Sequence, residues 1–143
     1  MVDEELHFLL IQCYNYNNRL LARKTMAAGL HLLSGQPKIL ECLWEADGST
    51  PGDLSRHCAL DKSTITSLVS KMEEQGLVSR RAHSADRRSV RIFLTERGRK
   101  LAAAVKQVGY AVDECALQNL SPEEQRTLIA LLGRVRRAFE EEM

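Results

Sequence analysis

The sequence contains no apolar run of about eighteen residues, the length at which a membrane-spanning helix is expected. Its first five residues include three acidic ones and do not form a basic segment followed by an apolar one, so we expect no secretory signal. The four cysteines lie far apart, with no Cys-x-x-Cys pair, which argues against a disulfide framework. We find no repeat and no low-complexity segment. These absences favour one compact subunit in a reducing cytoplasm.

The net charge of +1 conceals an uneven distribution of charged residues. Residues 61–100 contain ten Lys and Arg against five Asp and Glu, whereas the rest of the chain contains ten against fourteen. A basic centre between acidic ends indicates that one surface meets a polyanion. Chance clustering on a solvated surface explains the charges equally well. The positions of these residues in the fold must therefore decide between the two interpretations.

Signals for the beginning and end of helices recur along the chain. Pro37 is suited to the first turn of a helix. The segments 50–53 and 121–124 each combine a hydroxyl cap, a proline at the first helical position and a carboxylate in the first turn. Asp61 is a further cap, and Gly76 suits the left-handed residue that ends the helix after it. Together with long periodic segments near both ends, these signals predict six helices.

Apolar residues at steps of three and four predict which side of each helix is buried. On the first helix the stripe consists of Leu6, Leu9, Leu10, Cys13, Leu20 and Leu21. On the second, third and fourth helices we expect burial of Ile39, Leu40, Leu43 and Trp44, of Leu54 and Cys58, and of Ile65, Leu68, Val69 and Met72. On the last two helices we expect burial of Leu101, Val105, Val108, Val112 and Cys115, and of Leu128, Leu131, Leu132 and Val135.

After Gly76 the helical spacing gives way to two short runs of strand-forming residues, 77–81 and 90–94. The polar residues 83–89 separate the runs, which predicts a β-hairpin with a long tip. Two short helices joined by a tight turn, followed by a hairpin, resemble a winged helix-turn-helix. We therefore predict a mainly α fold with a small antiparallel β-hairpin and with long helices at both ends.

The outward face of the helix that begins at Asp61 is rich in hydroxyl groups and has a lysine towards each end. Its residues are Lys62, Ser63, Thr64, Thr66, Ser67, Ser70 and Lys71. Short hydroxyl side chains can approach base edges in the major groove, and lysines suit phosphate contacts. An ordinary solvated helix face usually carries several Glu–Lys pairs, but Asp61 is the only acid among residues 61–72. This face is therefore a candidate for DNA binding.

The hairpin tip contains a second candidate, the run Asp86, Arg87 and Arg88. Arginine at the end of a projecting ribbon can enter a narrow minor groove, where the electrostatic potential is most negative. Asp86 would then hold a guanidinium group in place. The alternative is a charged turn without a partner. The adjacent hydroxyl-rich helix favours the DNA-binding interpretation.

Three segments of the sequence resemble the MarR family of bacterial transcriptional regulators. They are residues 61–78, with the helix and the strand after it; residues 86–88 together with 93–98; and residues 35–40. The flanking helices also match the family's arrangement, so the resemblance covers essentially the whole chain. It implies a DNA-binding repressor that binds a palindromic operator as a homodimer. Family members often respond to small amphipathic ligands, so it also implies a small-molecule effector.

The resemblance also predicts the domain organisation. We expect residues 35–95 to form the winged helix-turn-helix DNA-binding lobe, and residues 1–34 and 96–143 to form a helical dimerisation lobe. The apolar stripes of the first, fifth and sixth helices are larger than a winged helix of about 60 residues can cover, which favours a dimer independently of the resemblance. The alternative is that these helices pack within a monomer.

Three other functions are considered: a redox-responsive regulator, a protein-binding module and an enzyme. Cys13 beside Tyr14 and Tyr16 resembles the reactive cysteine of peroxide-sensing members, so a redox-responsive regulator is an alternative. Because Cys13 lies on the apolar stripe, a packed core thiol is the preferred interpretation. A winged helix that binds protein is a further alternative. We find no convergent catalytic set and no metal-ligand spacing around Cys42 and Cys58, so we expect no enzyme, metal or cofactor.

Overall fold

The structure is a computed structural model that describes the backbone of residues 2–83 and 86–143 and the side chains of residues 5–82 and 90–143. The described residues form six helices and two strands, in the predicted order. They are α1 (Val2–Ala27), α2 (Gln36–Glu45), α3 (Pro51–Cys58), α4 (Lys62–Glu74), β1 (Val78–His83), β2 (Asp86–Leu94), α5 (Glu96–Leu117) and α6 (Pro122–Glu142). The fold class predicted from the sequence is confirmed.

The chain divides into two compact units, Met1–Tyr110 and Ala111–Met143. In the first unit, apolar side chains from α2 to α5 form one buried cluster. Its largest fully buried members are Ile39, Leu40, Leu43, Leu54, Ile65, Met72, Ile92, Val69 and Val105. In the second unit, the Gln125 side chain donates hydrogen bonds to the carbonyls of Leu117 and Leu120, at 3.2 and 3.0 Å. These bonds fix the turn that leads into α6.

The predicted helix caps of the helix-turn-helix are confirmed. The Asp53 N–H donates to the Thr50 hydroxyl at 3.1 Å, and the Thr50 N–H donates to the Asp53 carboxylate at 3.0 Å, so both donors at the start of α3 have partners. The chain turns between α3 and α4 at Ala59, whose φ of 53° is left-handed. Asp61 accepts from the Thr64 N–H at 2.7 Å and caps α4. Gly76, with φ of 75°, follows α4 as predicted.

The β-hairpin is longer than the sequence suggested. β1 and β2 pair antiparallel from Val78 opposite Leu94 to Ala82 opposite Val90, and after a shift in register His83 lies opposite Asp86. The prediction of a long tip over residues 83–89 was therefore wrong, because the strands continue through most of that segment. The ladder of a projecting ribbon rests on backbone hydrogen bonds, and the apolar alternation used to delimit strands does not report on them.

A short pairing with the turn before α3 extends the hairpin at its base. The Ile92 N–H donates to the Ser49 carbonyl, and the Gly48 N–H donates to the Ile92 carbonyl, both at 2.9 Å. Asp47 in the same turn accepts from the Leu94 N–H at 2.8 Å and forms an ion pair with Arg99 at 3.0 Å. The wing is thereby connected to the turn between α2 and α3 as well as to α4.

Several residues expected in the core are exposed in the single chain. Cys13 and Cys115 are exposed, so the prediction of a packed Cys13 thiol was wrong for the single chain. On α6 no described residue is buried, although Leu128, Leu131, Leu132 and Val135 were expected to be; the three leucines are exposed and Val135 is half-buried. The stripes correctly mark amphipathic helices, but periodicity does not say which molecule covers them. Trp44 is 39% exposed because it lies in the last turn of α2 and is too large to be enclosed easily.

Among the described residues, no helix combines the length and the apolar character required to cross a membrane.

Candidate nucleic-acid interface

The two faces of α4 differ sharply in burial and chemistry. Ile65, Leu68, Val69 and Met72 are buried in the core cluster. On the opposite face the exposed residues are Lys62, Ser63, Thr66, Ser67, Ser70 and Lys71. Thr64 is half-buried at the edge between the faces. The structure therefore brings six of the seven predicted residues of this helix together on one solvent-facing surface, which we call the α4 polar face.

Hydrogen bonds restrict the hydroxyl groups near the start of α4. The Ser63 hydroxyl donates to the Asp61 carboxylate at 2.8 Å, and the Thr66 hydroxyl donates to the Lys62 carbonyl at 2.8 Å. A hydroxyl that donates in this way can still accept a hydrogen bond. The amino group of adenine or cytosine is a suitable donor in the major groove.

Asp61 lies at the start of this face, and hydrogen bonds from the first turn of α4 stabilise its charge. The Thr64 backbone N–H, together with the Ser63 and Thr64 hydrogen bonds from the side chains, holds the pKa of the Asp61 carboxyl below its usual value. The positive end of the α4 dipole lies at the same place. The carboxylate therefore serves as a cap and compensates donors that would otherwise lack a partner.

Arg80 on β1 is a residue that the sequence reasoning missed. Its guanidinium donates to the Ser70 hydroxyl at 2.7 Å and lies 3.9 Å from the Glu73 carboxylate. Its neighbour Arg81 lies with its guanidinium 4.8 Å from the centre of the Phe93 ring. Consecutive residues of a strand point to opposite sides, so the Arg80-Arg81 pair after α4 was a usable signal that one arginine faces α4. Arg80 adds a cation next to the α4 polar face.

The predicted wing residues Asp86, Arg87 and Arg88 belong to β2, but their side chains lie outside the described residues. Their participation in DNA binding stays a prediction.

A cleft of about 520 Å³ borders the start of α4. It is lined by the C-terminal half of α1, by most residues of the segment 30–38 and by Leu60 and Thr64. Its walls are mostly apolar, and its polar side chains are those of Asn18, Thr25, Ser34, Lys38 and Thr64. Clefts of this size and composition accept small molecules. Within residues 5–82 and 90–143, no three His, Cys, Asp or Glu side chains are grouped so as to hold a metal ion.

The fold and the α4 polar face together define a winged helix-turn-helix protein of the DNA-binding type. The profile of the MarR family matches residues 33–90, which include α2, α3, α4 and most of the hairpin. Over 111 residues the chain is 30% identical to the HTH-type transcriptional regulator YybA of Bacillus subtilis, covering 78% of this chain and 74% of YybA. It is 32% identical over 108 residues to the HTH-type transcriptional repressor YetL of the same organism, covering 74% of this chain and 65% of YetL.

Solved structures show the same likeness. A MarR transcriptional regulator from Methanosarcina mazei superposes with a TM-score of 0.87 at 27% identity, covering 98% of this chain and 99% of that one. A MarR family protein of Mycobacterium tuberculosis in complex with salicylic acid superposes with a TM-score of 0.74 at 27% identity, covering 91% and 95%. The chain belongs to the MarR family of transcriptional regulators.

Proposed function

We propose that this regulator is a sequence-specific repressor that binds a palindromic operator as a homodimer. The α4 polar face is the observation that carries the proposal, since it combines exposed hydroxyl groups and lysines on one side of a helix whose other side is buried. The similarity to YetL, a transcriptional repressor, supports repression rather than activation. The regulator would act in the cytoplasm, where a bacterial operator lies.

In this proposal α4 enters the major groove. Ser63, Thr66, Ser67 and Ser70 meet base edges, while Lys62 and Lys71 at the two ends of the face meet phosphates. Thr64, at the edge of the face, contacts the sugar-phosphate backbone. Arg80 is positioned by Ser70 to reach a phosphate next to the C-terminal half of α4.

The wing supplies the second contact in this proposal. Arg87 and Arg88 enter the adjacent minor groove, and Asp86 orients one guanidinium group. The hairpin formed by β1 and β2 supports this proposal, because its pairing extends to His83 opposite Asp86 and so places the run at the end opposite to the Val78–Leu94 pair.

Exposed apolar surface on both compact units supports the homodimer. In α1, Phe8 is 63% exposed, and Leu6, Leu9 and Ile11 are exposed as well. In α6, Ile129 is 62% and Phe139 is 60% exposed. Apolar surface of this extent marks association sites. We propose that residues 1–34 and 96–143 form the dimerisation lobe and residues 35–95 the DNA-binding lobe. Light scattering at micromolar protein concentration tests the homodimer, and a monomeric mass would contradict it.

We further propose that a small amphipathic ligand releases the operator by binding the cleft beside α4. Thr64 belongs both to the cleft and to α4, so an occupant of the cleft contacts the DNA-binding helix directly. Lys38 is a suitable partner for a carboxylate, such as that of the salicylic acid bound to the M. tuberculosis protein. Titration of the protein–operator complex with salicylate tests this, and Lys38→Ala should weaken the response.

Selection of bound sequences from random DNA tests the central proposal. Enrichment of a palindrome with half-sites about 10 bp apart is the expected result. Enrichment of a sequence without symmetry would contradict the homodimer on DNA. No enrichment would favour a winged helix that binds protein instead.

Salt titrations with the selected operator then test the α4 polar face. Each phosphate contact contributes about 0.9 to the slope of log affinity against log salt concentration. Lys62→Ala and Lys71→Ala should each reduce that slope by about one. Lys100→Ala is the matched control, because Lys100 is an exposed lysine of the basic segment that lies on α5. Equal slopes for all three variants would remove α4 from the interface.

A further inference from the structure

Two cysteines from neighbouring helices of the winged helix lie in contact. The Sγ atoms of Cys42 on α2 and Cys58 at the end of α3 are 3.4 Å apart, and both thiols are free. A disulfide requires a separation of about 2.05 Å, so the sulfur atoms need to approach by only about 1.4 Å. Sixteen positions of sequence separate the two residues, so their contact is a product of the fold.

The two thiols differ in access to solvent. Cys58 is buried, whereas Cys42 is half-buried. Both line a cleft of about 230 Å³ whose wall also contains Tyr14, Lys38 and His57. A small oxidant that enters the cleft therefore has better access to Cys42 than to the buried Cys58. This is the arrangement of an attacking cysteine with a resolving partner.

The surroundings favour a thiolate at Cys42. The hydrogen bond between the two sulfur atoms lowers the pKa of Cys42, and the positive charge of Lys38, one turn earlier on α2, acts in the same direction, against burial and the charge of Glu41. That hydrogen bond and burial raise the pKa of Cys58, which keeps it protonated. Lys38 is itself positioned by a 2.8 Å hydrogen bond from its ammonium group to the Tyr14 hydroxyl.

We propose that Cys42 and Cys58 form an oxidation site that converts to an intramolecular disulfide on reaction with a hydroperoxide. The Cys42 thiolate attacks the peroxide, so that an S–O bond forms, the O–O bond breaks and the departing alkoxide is protonated to an alcohol. The Cys58 sulfur then attacks the sulfenic acid, which forms the S–S bond and releases water. The two thiols lose two electrons and the hydroperoxide gains them.

The disulfide would act on DNA binding through the turn after α3, and this second step rests on the proposed function. Cys58 is the last residue of α3 and is followed by left-handed Ala59 and by Asp61, the cap of α4. Because packed interiors transmit displacements, drawing Cys58 towards α2 moves the start of α4. We expect the oxidised protein to bind its operator about tenfold more weakly than the reduced protein, and a thiol reductant to restore binding.

Peptide mass spectrometry of the full-length protein tests the chemistry without DNA. Trypsin separates the two cysteines, since it cuts after Lys38, Arg56 and Lys62. After an equimolar addition of hydrogen peroxide and alkylation of the remaining thiols, we expect peptide 39–56 to be linked to peptide 57–62 within a chain of monomeric mass. Loss of the Cys42 thiol should be about tenfold faster than loss of the exposed Cys13 thiol.

Matched variants separate the roles of the two sulfur atoms. Cys58→Ser should abolish the cross-link and leave a sulfenic acid on Cys42 that dimedone traps, and Cys58→Ala should do the same if the serine disturbs the core. Cys42→Ser should give neither product, and Cys13→Ser should behave like the unmodified protein. Absence of the linked peptide, or oxidation of Cys13 first, would overturn the proposal. If the cross-link forms but operator affinity does not change, the proposed effect of the disulfide on α4 is wrong. If neither the reduced nor the oxidised protein binds DNA, the proposed function is wrong, whereas the oxidation site itself still stands.

Discussion

Gly98, in the first turn of α5, allows a sharp test of how the wing is joined to the helix that follows it. Gly98 is buried, and a Cβ atom added there would lie 1.9 Å from the carbonyl oxygen of Leu77 and 2.8 Å from its carbonyl carbon. The obstacle is backbone, so no side-chain rotation relieves it. Gly98→Ala must therefore separate the start of α5 from the residue that precedes β1.

The cost of that separation follows from the bonds it strains. The Thr95 N–H donates to the Leu77 carbonyl at 3.0 Å, and the Thr95 hydroxyl donates to the Gly76 carbonyl at 2.6 Å. Each such bond contributes about 1 kcal/mol net. Overpacking of a filled interior adds about 1–3 kcal/mol. In the opposite direction, the higher helix propensity of alanine stabilises the folded state by about 1 kcal/mol relative to glycine. We expect Gly98→Ala to lower the free energy of unfolding by about 3 kcal/mol.

Gly133→Ala is the matched control. Gly133 lies inside α6, and a Cβ there meets nothing nearer than the Arg137 guanidinium at 4.0 Å. Without a steric penalty, alanine should raise the free energy of unfolding by up to about 1 kcal/mol. Urea denaturation at a fixed protein concentration compares both variants, since association makes apparent stability depend on concentration. Equal or increased stability for Gly98→Ala would refute the reasoning.

Three further predictions concern the interface and its caps. Arg88→Ala should weaken operator binding and reduce its salt slope by about one, and an unchanged slope in the titration would remove the wing from the interface. Arg80→Ala should weaken operator binding about tenfold with little change in melting temperature, because the ion pair that it breaks is exposed; a melting temperature that falls with affinity would indicate a purely structural role. Asp53→Asn should make the free energy of unfolding less sensitive to acid. The hydrogen bond from the Thr50 N–H lowers the pKa of the Asp53 carboxyl in the folded protein. The stability that this carboxylate supplies is therefore present above about pH 3.9 and is lost as the pH falls below it, and the asparagine variant lacks this loss. Denaturation curves that stay parallel from pH 6 to the lowest pH measured would contradict this.

Local chemistry made the helix-turn-helix predictable from the sequence. Capping at Thr50 and Asp61 depends on residues within three positions of each other, and so does the turn at Gly76. The spacing of Ile65, Leu68 and Met72 fixes which side of α4 is buried and thereby which side is exposed. The composition of the α4 polar face follows directly, because a helix has only one opposite side.

Features that depend on contacts between distant segments were not predictable in this way. Nothing in the sequence relates Cys42 to Cys58, because their contact depends on the packing of α2 against α3. Arg80 likewise contacts Ser70 only because β1 runs back beside α4. The stripe of α1 predicted burial for Cys13, but the Cys13 side chain is exposed in the single chain. Periodicity shows that a surface is apolar without showing what it contacts.

The start of α4 joins these separate features. Cys58 and Thr64 stand six positions apart on either side of Asp61; the first belongs to the Cys42–Cys58 pair and the second lies in the wall of the larger cleft. Lys38 lines both clefts, so each is one side chain away from the other. If both proposals hold, a ligand and an oxidant act on the same turn of helix, the one that carries Lys62 and Ser63. Under these proposals the clefts would set the specificity for the signal, and the short segment between Cys58 and Thr64 would transmit its effect to DNA binding.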